Sequence, residues 1–497
     1  RVWQALSCEV RCERKFAAMS SSLLPPSPSP PAWFDTRYPP HYVAQRLTAN
    51  SSIVVDGALD DAAWHSVPWT TAPLVDITHH ANASLNAVPD ELQLRAKMRW
   101  DARYLYVGVE VREQLIWANV TGHNSNDGPP YKDNDVELFV DPSGTTQFYK
   151  EFELSARNAT YDVLWGVPDS DGLRCDRNGS LPYLPRCVNT SSRFYPGTWT
   201  MANTRGAAGL GGGGLTTATA YAASDYGAYR HPYTTWTAEL AFPLRAAADG
   251  SHGGLLDADR PATTAAYVAR YDPSAAAQVY WHFDLSRAQH FRRYRGGEFC
   301  PFDCAAGLAA PSLAAPSSAE CAAVKARWPT LLGTQGYNCY WEWAIASPST
   351  EADGFAYMHR PLRFATLQFA PSGAAERCRN VEFPGRHLAA SILQAQRAAL
   401  AATGAYAADI SAVADACAPP QCDADALRDA RARPELFSFA VHVVASASVL
   451  SAGCTARPCF NATVTLRLPG DVVAATINEN SWLRVEHSAK AGERPCL

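Results

Sequence analysis

The sequence predicts a mainly β protein, in which an antiparallel β-sandwich is followed by a smaller C-terminal α+β module. Many short runs of alternating apolar and polar residues, separated by turn-forming residues, extend from about Ile53 to Phe369. Two of these runs flank residues 141–144, whose sequence Asp-Pro-Ser-Gly is typical of a turn, and together they predict a β-hairpin. After Pro371 the pattern changes, and apolar residues recur at helical spacing.

The predicted hairpin pairs Val136–Val140 with Phe148–Leu154, and its two faces differ in character. Alternation directs one set of apolar side chains towards the core. It directs Glu137, Glu151 and Glu153 to the opposite face. Carboxylates on neighbouring strands repel one another unless a cationic or hydroxyl-rich group lies between them. This face is therefore either a solvated outer surface or a place where a ligand binds.

The predicted sandwich occupies residues 49–370 and contains a cysteine-rich insertion at residues 287–339. Residues 1–48 are expected to form a tail, because Leu23–Trp33 is rich in proline and serine. Besides the hairpin, strands are expected within Leu94–Val111, Thr160–Trp165, Thr234–Leu244, Ala265–Tyr271, Val279–Leu285, Asn338–Ile345 and Leu362–Phe369.

Residues 371–497 are expected to form the small α+β module, which has an ordinary size for a domain. Helices are predicted at Leu388–Leu400 and Asp425–Arg433, the second ending before Pro434. The predicted strands are Leu436–Ala445, Phe460–Leu468, Val472–Ile477 and Trp482–His487. The module carries no recognisable set of catalytic residues, so we expect it to serve in packing or in contact with a partner.

Composition argues against several classes of function. The net charge of the 497-residue chain is −5 and no basic stripe is present, so nucleic acid is not an expected partner. No apolar run is long enough for a transmembrane segment. The nucleophile-elbow, metalloprotease and phosphate-loop motifs are also missing from the sequence, so no common enzyme signature is present.

Cysteines and glycosylation motifs indicate the compartment. The chain has 14 cysteines, many in close pairs, of which Cys175–Cys187 and then Cys417–Cys422 are the best candidates for disulfides. Zinc is the alternative, but the spacing never gives two Cys-x-x-Cys pairs. Seven Asn-x-Ser/Thr motifs accompany the cysteines, so we expect a secreted or cell-surface glycoprotein. These motifs begin at Asn50, Asn82, Asn119, Asn158, Asn178, Asn189 and Asn461.

Seven motifs between residues 56 and 369 occur in an order typical of one known domain family. They are DGALDDAAW (Asp56–Trp64), RWDARYLYVGVEV (Arg99–Val111), DNDVELFVDPSG (Asp133–Gly144), YKEFELSARNATYDVL (Tyr149–Leu164), WTAELAFPL (Trp236–Leu244), WHFDLSR (Trp281–Arg287) and MHRPLRFATLQF (Met358–Phe369). Together they resemble the carbohydrate-binding module family 9-like domain, over roughly Ala49–Ala370. The resemblance implies a β-sandwich that binds a carbohydrate without catalysis. Because such domains are often appended to xylanases and related glycoside hydrolases, it also implies a link to carbohydrate catabolism.

The resemblance further implies where a carbohydrate would bind. Members of that family hold a sugar ring between two tryptophans, and a glutamate six residues after the first binds hydroxyl groups. Glu137 stands at the position of this glutamate, and Tyr131 at that of the first tryptophan. The second tryptophan's position falls near Tyr357, and Glu153 replaces an arginine of the family's site. Aromatic rings cover the apolar face of a sugar and carboxylates bind its hydroxyls. We therefore expect Tyr131, Glu137, Glu153 and Tyr357 to line the site.

The same residues admit other interpretations. Glu137 could instead form an ion pair with Arg287. Trp341 and Trp343 alternate together with Ile345, so we expect them in the core rather than on a binding surface.

The sequence admits three further functions: calcium binding, haem binding and glycosidase activity. Asp133, Asp135 and Asp141 could coordinate calcium, which some relatives bind structurally. Met358 with His359 could ligate haem, as in some related sandwich domains, although neighbouring residues of a regular strand face opposite ways. The acidic residues could act as the carboxylate pair of a glycosidase, but nothing else in the sequence resembles a hydrolase.

Overall fold

A computed structural model describes the mainly β fold of the protein. The described residues are 30–76, 88, 90–116, 118, 120–122, 130–165, 214–227, 229–248, 251–256, 270–274, 279–290, 293–294, 298–299, 338–342, 358–371, 373, 376–417, 419, 422–444, 459–479 and 481–489. They form one large sheet, one four-stranded sheet, a short two-stranded ladder and a few helices. The predicted class, mainly β with a small helical content, is thus confirmed.

The large sheet contains twelve strands within the described part of the chain. They are β1 (His41–Arg46), β2 (Val75–Asp76), β3 (Leu94–Trp100), β4 (Tyr104–Leu115), β5 (Asp135–Asp141), β6 (Tyr149–Ser155), β7 (Thr160–Trp165), β8 (Thr216–Ala220), β9 (Tyr229–Pro243), β10 (Val279–His290), β13 (Asn338–Glu342) and β14 (Ala365–Ala370). Their order is β7-β6-β5-β10-β14-β1-β3-β4-β9-β8, with β13 pairing to β10 and to β2. The short ladder consists of β11 (Arg293–Tyr294) and β12 (Glu298–Phe299).

The large sheet curls so that its two ends share one core. Phe152 on β6 meets Phe242 on β9 edge to face, with ring centroids 4.9 Å apart, although six strands separate β6 from β9 in the sheet order. Buried side chains from β3, β4 and β9 belong to the same apolar cluster as those from β5, β6, β10 and β14. The strands of this large sheet therefore enclose one common core.

Strand β1 corrects two expectations. It pairs parallel with β14 on one side and with β3 on the other, so the sheet is not antiparallel throughout. It also lies inside the predicted tail, residues 1–48, and the short helix α1 (Trp33–Thr36) precedes it. The sequence pattern of this strand is weak, because only two of its six residues, Tyr42 and Ala44, are buried.

The central hairpin is confirmed. Strands β5 and β6 pair antiparallel, with Val136 opposite Leu154 and Leu138 opposite Phe152, and these four side chains enter the core. The other predicted strands correspond to β3, β4, β7, β9, β10, β13 and β14. The exception is Ala265–Tyr271, where only Arg270 and Tyr271 are described and both are helical.

Three further elements were not predicted or were misplaced. Strand β8, which follows a glycine-rich segment, was not predicted, and neither was helix α4 (Ile410–Ala416) in the C-terminal region. Strand β10 continues to His290, so the cysteine-rich insertion does not begin at residue 287. Helix α2 (Ala62–His65) begins within the motif Asp56–Trp64 and buries Trp64.

The C-terminal region, residues 376–489, has its own core. It contains helices α3 (Phe383–Thr403), α4 (Ile410–Ala416) and α5 (Ala424–Arg431). They pack on a four-stranded antiparallel sheet in the order of the sequence, consisting of β15 (Phe437–Val444), β16 (Cys459–Leu468), β17 (Asp471–Asn478) and β18 (Leu483–His487). Phe34 of α1 also belongs to this core, so the N-terminal segment contacts both sheets.

The C-terminal region holds the turn of the central hairpin. Thr146 donates a hydrogen bond from its hydroxyl to the carbonyl of Ser481, and the amide of Leu483 donates to the carbonyl of Thr145. Arg386 of α3 donates to the carbonyls of Ser143 and Gly144. The position of the hairpin therefore depends on residues more than 200 positions further along the chain.

The structure bears on two predictions made from the composition, one on disulfides and one on transmembrane segments. Cys417 and Cys422 form a disulfide, as predicted, whereas Cys175 and Cys187 lie outside the described residues. Among the helices that the structure describes, none combines the length and the apolar composition required to cross a bilayer.

Candidate functional site

The candidate site lies on the face of the hairpin opposite the core. Strand alternation brings Glu137 of β5 to the same face as Glu151 and Glu153 of β6. Glu137 is directly opposite Glu153 in the register. On the other side of β5, Ser286 of β10 pairs with Glu137, so this face spans three neighbouring strands.

The three glutamates form a compact cluster, called here the carboxylate cluster. Carboxylate oxygens of Glu137, Glu151 and Glu153 all lie within 4.8 Å of one another. All three residues are buried, with Glu137 only 1% exposed. The interpretation of this face as a solvated outer surface is therefore wrong.

Each glutamate accepts a hydrogen bond from a different element. Ser286 donates from Oγ to Oε2 of Glu137 over 2.6 Å. The backbone amide of Tyr131 donates to Oε2 of Glu153 over 2.8 Å. The indole of Trp165 on β7 donates to Oε2 of Glu151. These bonds fix the carboxylates in place.

Burial and mutual repulsion raise the pKa values in the cluster. Burial, followed by the charge of Glu151, raises the pKa of Glu137 from its ordinary value of 4.5 to about 8. The same two causes raise the pKa of Glu153 well above its usual range. On the same face, burial and then Glu137 raise the pKa of Asp135. At neutral pH, without a ligand, this face therefore retains protons.

These pKa shifts predict that the protein, with no metal ion bound, becomes less stable as the pH rises. Between pH 4.5 and about 8, folded Glu137 holds a proton that the unfolded chain has released. Folding then takes up a proton, so the free energy of unfolding falls as the pH rises through this range. Urea unfolding in EDTA from pH 5 to pH 8 should show this fall. It should be smaller in Glu137→Gln, and equal slopes in the two proteins would contradict the assignment.

Tyr131 supplies an exposed aromatic ring beside the cluster. It lies in a 3₁₀ helix, Pro130–Lys132, and 40% of its surface is exposed. Burial of the remainder, then the charges of Glu153, Glu151 and Glu137, raise the pKa of its hydroxyl, as expected for a ring close to the cluster. The structure thus brings together Tyr131, Glu137 and Glu153, three of the four predicted site residues.

Tyr357, the fourth predicted residue, lies outside the described residues, but the next residue is described. Met358 is buried, and its sulfur lies 3.8 Å from Oγ of Ser286, the donor to Glu137. The chain after Tyr357 therefore reaches the site.

Met358 and His359 lie in a turn and not in a strand, so the argument that they face opposite ways does not apply. Met358 packs in an apolar cluster with Phe139 and Phe364. Nδ1 of His359 shares a hydrogen bond of 3.0 Å with the hydroxyl of Tyr149. Both candidate haem ligands are thus engaged with other protein groups.

Arg287 does not pair with Glu137. It lies on the opposite face of β10 and forms an ion pair with Glu113, with 2.9 Å between Nη2 and Oε1. This alternative from the sequence is wrong because alternation directs Ser286, and not Arg287, towards Glu137.

The three aspartates considered for calcium cannot share one ion. Asp135 and Asp141 are six residues apart on β5, or about 20 Å along a strand. Asp133 accepts a hydrogen bond from the amide of Val120, and Asp141 accepts from the amides of Gly144 and Thr146. Of the three aspartates, Asp135 lies on the face of the carboxylate cluster.

Sequence reasoning missed several residues of the site. Glu151 was assigned to the correct face but not to the site. Tyr161, opposite Glu153 on β7, was also missed, and burial and then Glu151 and Glu153 raise its pKa. Alternation in the segment WHFDLSR was the available signal for Ser286, because it separates Ser286 from the apolar residues Phe283 and Leu285.

One known family matches the part of the chain that contains the cluster. Residues 55–165 match the family described as carbohydrate family 9 binding domain-like. The chain contains a carbohydrate family 9 binding domain-like region. This region includes β2 to β7, with Tyr131 and all three glutamates of the cluster. The predicted resemblance is thereby confirmed over these residues.

Solved structures also align with the chain, at low similarity. One is a carbohydrate binding module family 9 from Caldicellulosiruptor kristjanssonii in complex with cellotriose, with 13% identity over 68% of this chain and 99% of that chain, and a TM-score of 0.30. The same organism provides a complex with glucose, with 12% identity over 68% of this chain and 100% of that chain, and a TM-score of 0.29. A putative carbohydrate-binding protein from Bacteroides uniformis has 13% identity over 67% of this chain and 99% of that chain, and a TM-score of 0.34. These scores are too low for ligand positions to be transferred. Among curated proteins, none matches the chain significantly.

Proposed function

We propose that the face formed by Tyr131 and the carboxylate cluster binds carbohydrate without catalysing a reaction. The observation that carries this proposal is an exposed aromatic ring beside three convergent carboxyl groups, within a family 9-like region. Among the described residues, Tyr131 is one of few large apolar side chains left exposed.

The chemistry of the face suits a sugar ring. The ring of Tyr131 stacks on the apolar C–H face of a pyranose. Hydroxyl groups at the edge of the sugar reach Glu153 and Glu137 beside it. A protonated carboxyl group donates one hydrogen bond and accepts others, so carboxyl groups with raised pKa values serve both roles. Glu137 and Glu153 are each only 1% exposed, so a sugar hydroxyl contacts them only if the residues that cover them move aside.

The wider organisation is part of the same proposal. We infer that the large curled sheet, which includes β1, forms a β-sandwich domain that ends near residue 370, and that residues 371–497 form a separate α+β module. The paired cysteines and the glycosylation motifs support secretion or exposure at the cell surface. In that setting the protein would act as an accessory to glycoside hydrolases in carbohydrate catabolism.

Carbohydrate binding should depend both on the ring of Tyr131 and on the carboxylate cluster. We expect a plant or algal wall glycan to bind on a glycan array, and its affinity should be measured by isothermal titration. Tyr131→Ala and Glu137→Gln should each weaken binding roughly fivefold, because a lost stacking contact or hydrogen bond is worth about 1 kcal/mol. The matched control is Tyr233→Ala, which removes another exposed tyrosine, on β9.

The control variant should bind like the parent, and all three variants should keep the parent's melting temperature within a few degrees. The proposal is overturned if no glycan binds, or if Tyr131→Ala and Glu137→Gln both retain the parent affinity.

A further inference from the structure

Two buried polar atoms beside the carboxylate cluster have no hydrogen-bond partner. One is Oδ2 of Asp135, a residue that is 0% exposed, while its Oδ1 accepts from the amide of Ala288 over 2.9 Å. The other is Oγ of Ser155, which is also fully buried. Leaving buried polar atoms unpaired is costly, and native proteins rarely do so without a reason.

Both atoms belong to side chains that point to the face of the cluster. Asp135 is two residues before Glu137 on β5, and Ser155 is two residues after Glu153 on β6, so alternation places them on that face. Asp135 and Ser155 are also directly opposite each other in the register. Asp135 therefore lies next to the carboxylate cluster on the same face, and one of its carboxylate oxygens remains unsatisfied.

Among the described residues, Arg287 offsets part of the charge of Asp135. In the described part of the chain, no lysine or arginine forms an ion pair with Glu137 or Glu153. The nearby guanidinium of Arg287 lies on the other face of β10, where Glu113 is its ion-pair partner. Nearby carboxylates at this separation require either protons or a cation.

We propose that Glu137, Glu151 and Glu153, with Asp135 beside them, bind a divalent cation, for which Ca²⁺ is the best fit. Hard cations select sets of oxygen ligands such as this one, whereas zinc prefers sites with nitrogen or sulfur. Calcium–oxygen distances are about 2.3–2.6 Å, so two oxygens that share one ion can be as much as about 5 Å apart. The cluster oxygens, all within 4.8 Å of one another, satisfy this limit without movement of the strands.

This inference goes beyond carbohydrate binding and does not depend on it. The ion would neutralise the repulsion between the glutamates and would attract the nearby carboxylate of Asp135, whose Oδ2 has no hydrogen-bond donor. Protons, the alternative, would neutralise the charge but would give no specific affinity for a metal.

Terbium luminescence provides a direct test, because Tb³⁺ replaces Ca²⁺ at oxygen sites and emits when a nearby tryptophan is excited. Trp165 is hydrogen-bonded to Glu151 and is therefore placed to sensitise the ion. The full-length chain, treated with EDTA and then dialysed free of it, should bind about one Tb³⁺ with sensitised emission, and Ca²⁺ should displace it. Added Ca²⁺ should also raise the melting temperature of the protein.

Two variants test whether the luminescence comes from an ion bound at the carboxylate cluster. Glu137→Gln and Glu153→Gln should each weaken Tb³⁺ and Ca²⁺ binding at least tenfold. Glu110→Gln serves as the control, because Glu110 pairs with Arg95 elsewhere in the sheet, and it should leave the affinity unchanged. Circular dichroism establishes that each variant is folded.

Two results would overturn the proposal. One is the absence of saturable binding of Ca²⁺ and Tb³⁺ to the metal-free parent protein. The other is equal affinity of the parent and of both cluster variants, which would place the ion elsewhere. No carbohydrate is present in these measurements, so their failure is distinct from a failure of the glycan experiments.

Discussion

Arg287→Met is expected to lower the free energy of unfolding by about 3–5 kcal/mol, the usual result of leaving a buried charge without its partner. Arg287 is 0% exposed and Glu113 is 2% exposed, so water cannot replace the lost ion pair. The guanidinium also donates from Nη1 to the carbonyls of Leu92 and Arg112, over 2.7 and 3.0 Å. Glu113 would keep its bonds from Asn134 and Trp236 but would lose its cationic partner.

The double variant Arg287→Met with Glu113→Gln tests this reason. Because it removes both charges, it should recover a large part of the stability lost in Arg287→Met, as measured by urea unfolding of each protein. A loss below about 1 kcal/mol in the single variant would contradict the prediction. So would a double variant that is no more stable than the single one.

Arg386→Met is expected to lower the free energy of unfolding by about 2–4 kcal/mol and to loosen the hairpin turn. Arg386 is buried and donates from Nε and Nη2 to Oε2 of Glu382, over 2.8 and 2.6 Å. It also donates to the carbonyls of Ser143 and Gly144. The expected loss is smaller than for Arg287 because Glu382 retains partners in Arg270 and His487.

Hydrogen exchange distinguishes this local effect from general destabilisation. In Arg386→Met, the amides of Gly144 and Thr146 should exchange faster relative to those of β3 and β4. Arg433→Met is the matched control, since Arg433 forms a half-exposed ion pair with Asp429 and should cost well under 1 kcal/mol. Uniform acceleration across the large sheet, or an equal loss in the control, would show that Arg386 does not specifically hold the turn.

The sequence by itself determined the local features of this protein. Alternation assigned Val136, Leu138 and Val140 to the core and Glu137 to the opposite face, and the structure confirms both. Helical spacing predicted α3, and proline and turn residues marked the ends of several other elements. These features could be predicted because each depends on the geometry of a few consecutive residues.

Only the tertiary structure decided what covers each face and which distant residues meet there. Glu137 and its donor Ser286 are 149 positions apart, and the register of β5 with β10 brings them together. That register also separates Arg287 from Glu137 and buries a face that alternation alone could equally have left in water. Strand β1 is a similar case, since its pairing with β14 joins residues more than 300 positions apart. A period-two pattern specifies two faces, but burial of the acidic face depends on long-range pairing that no local pattern encodes.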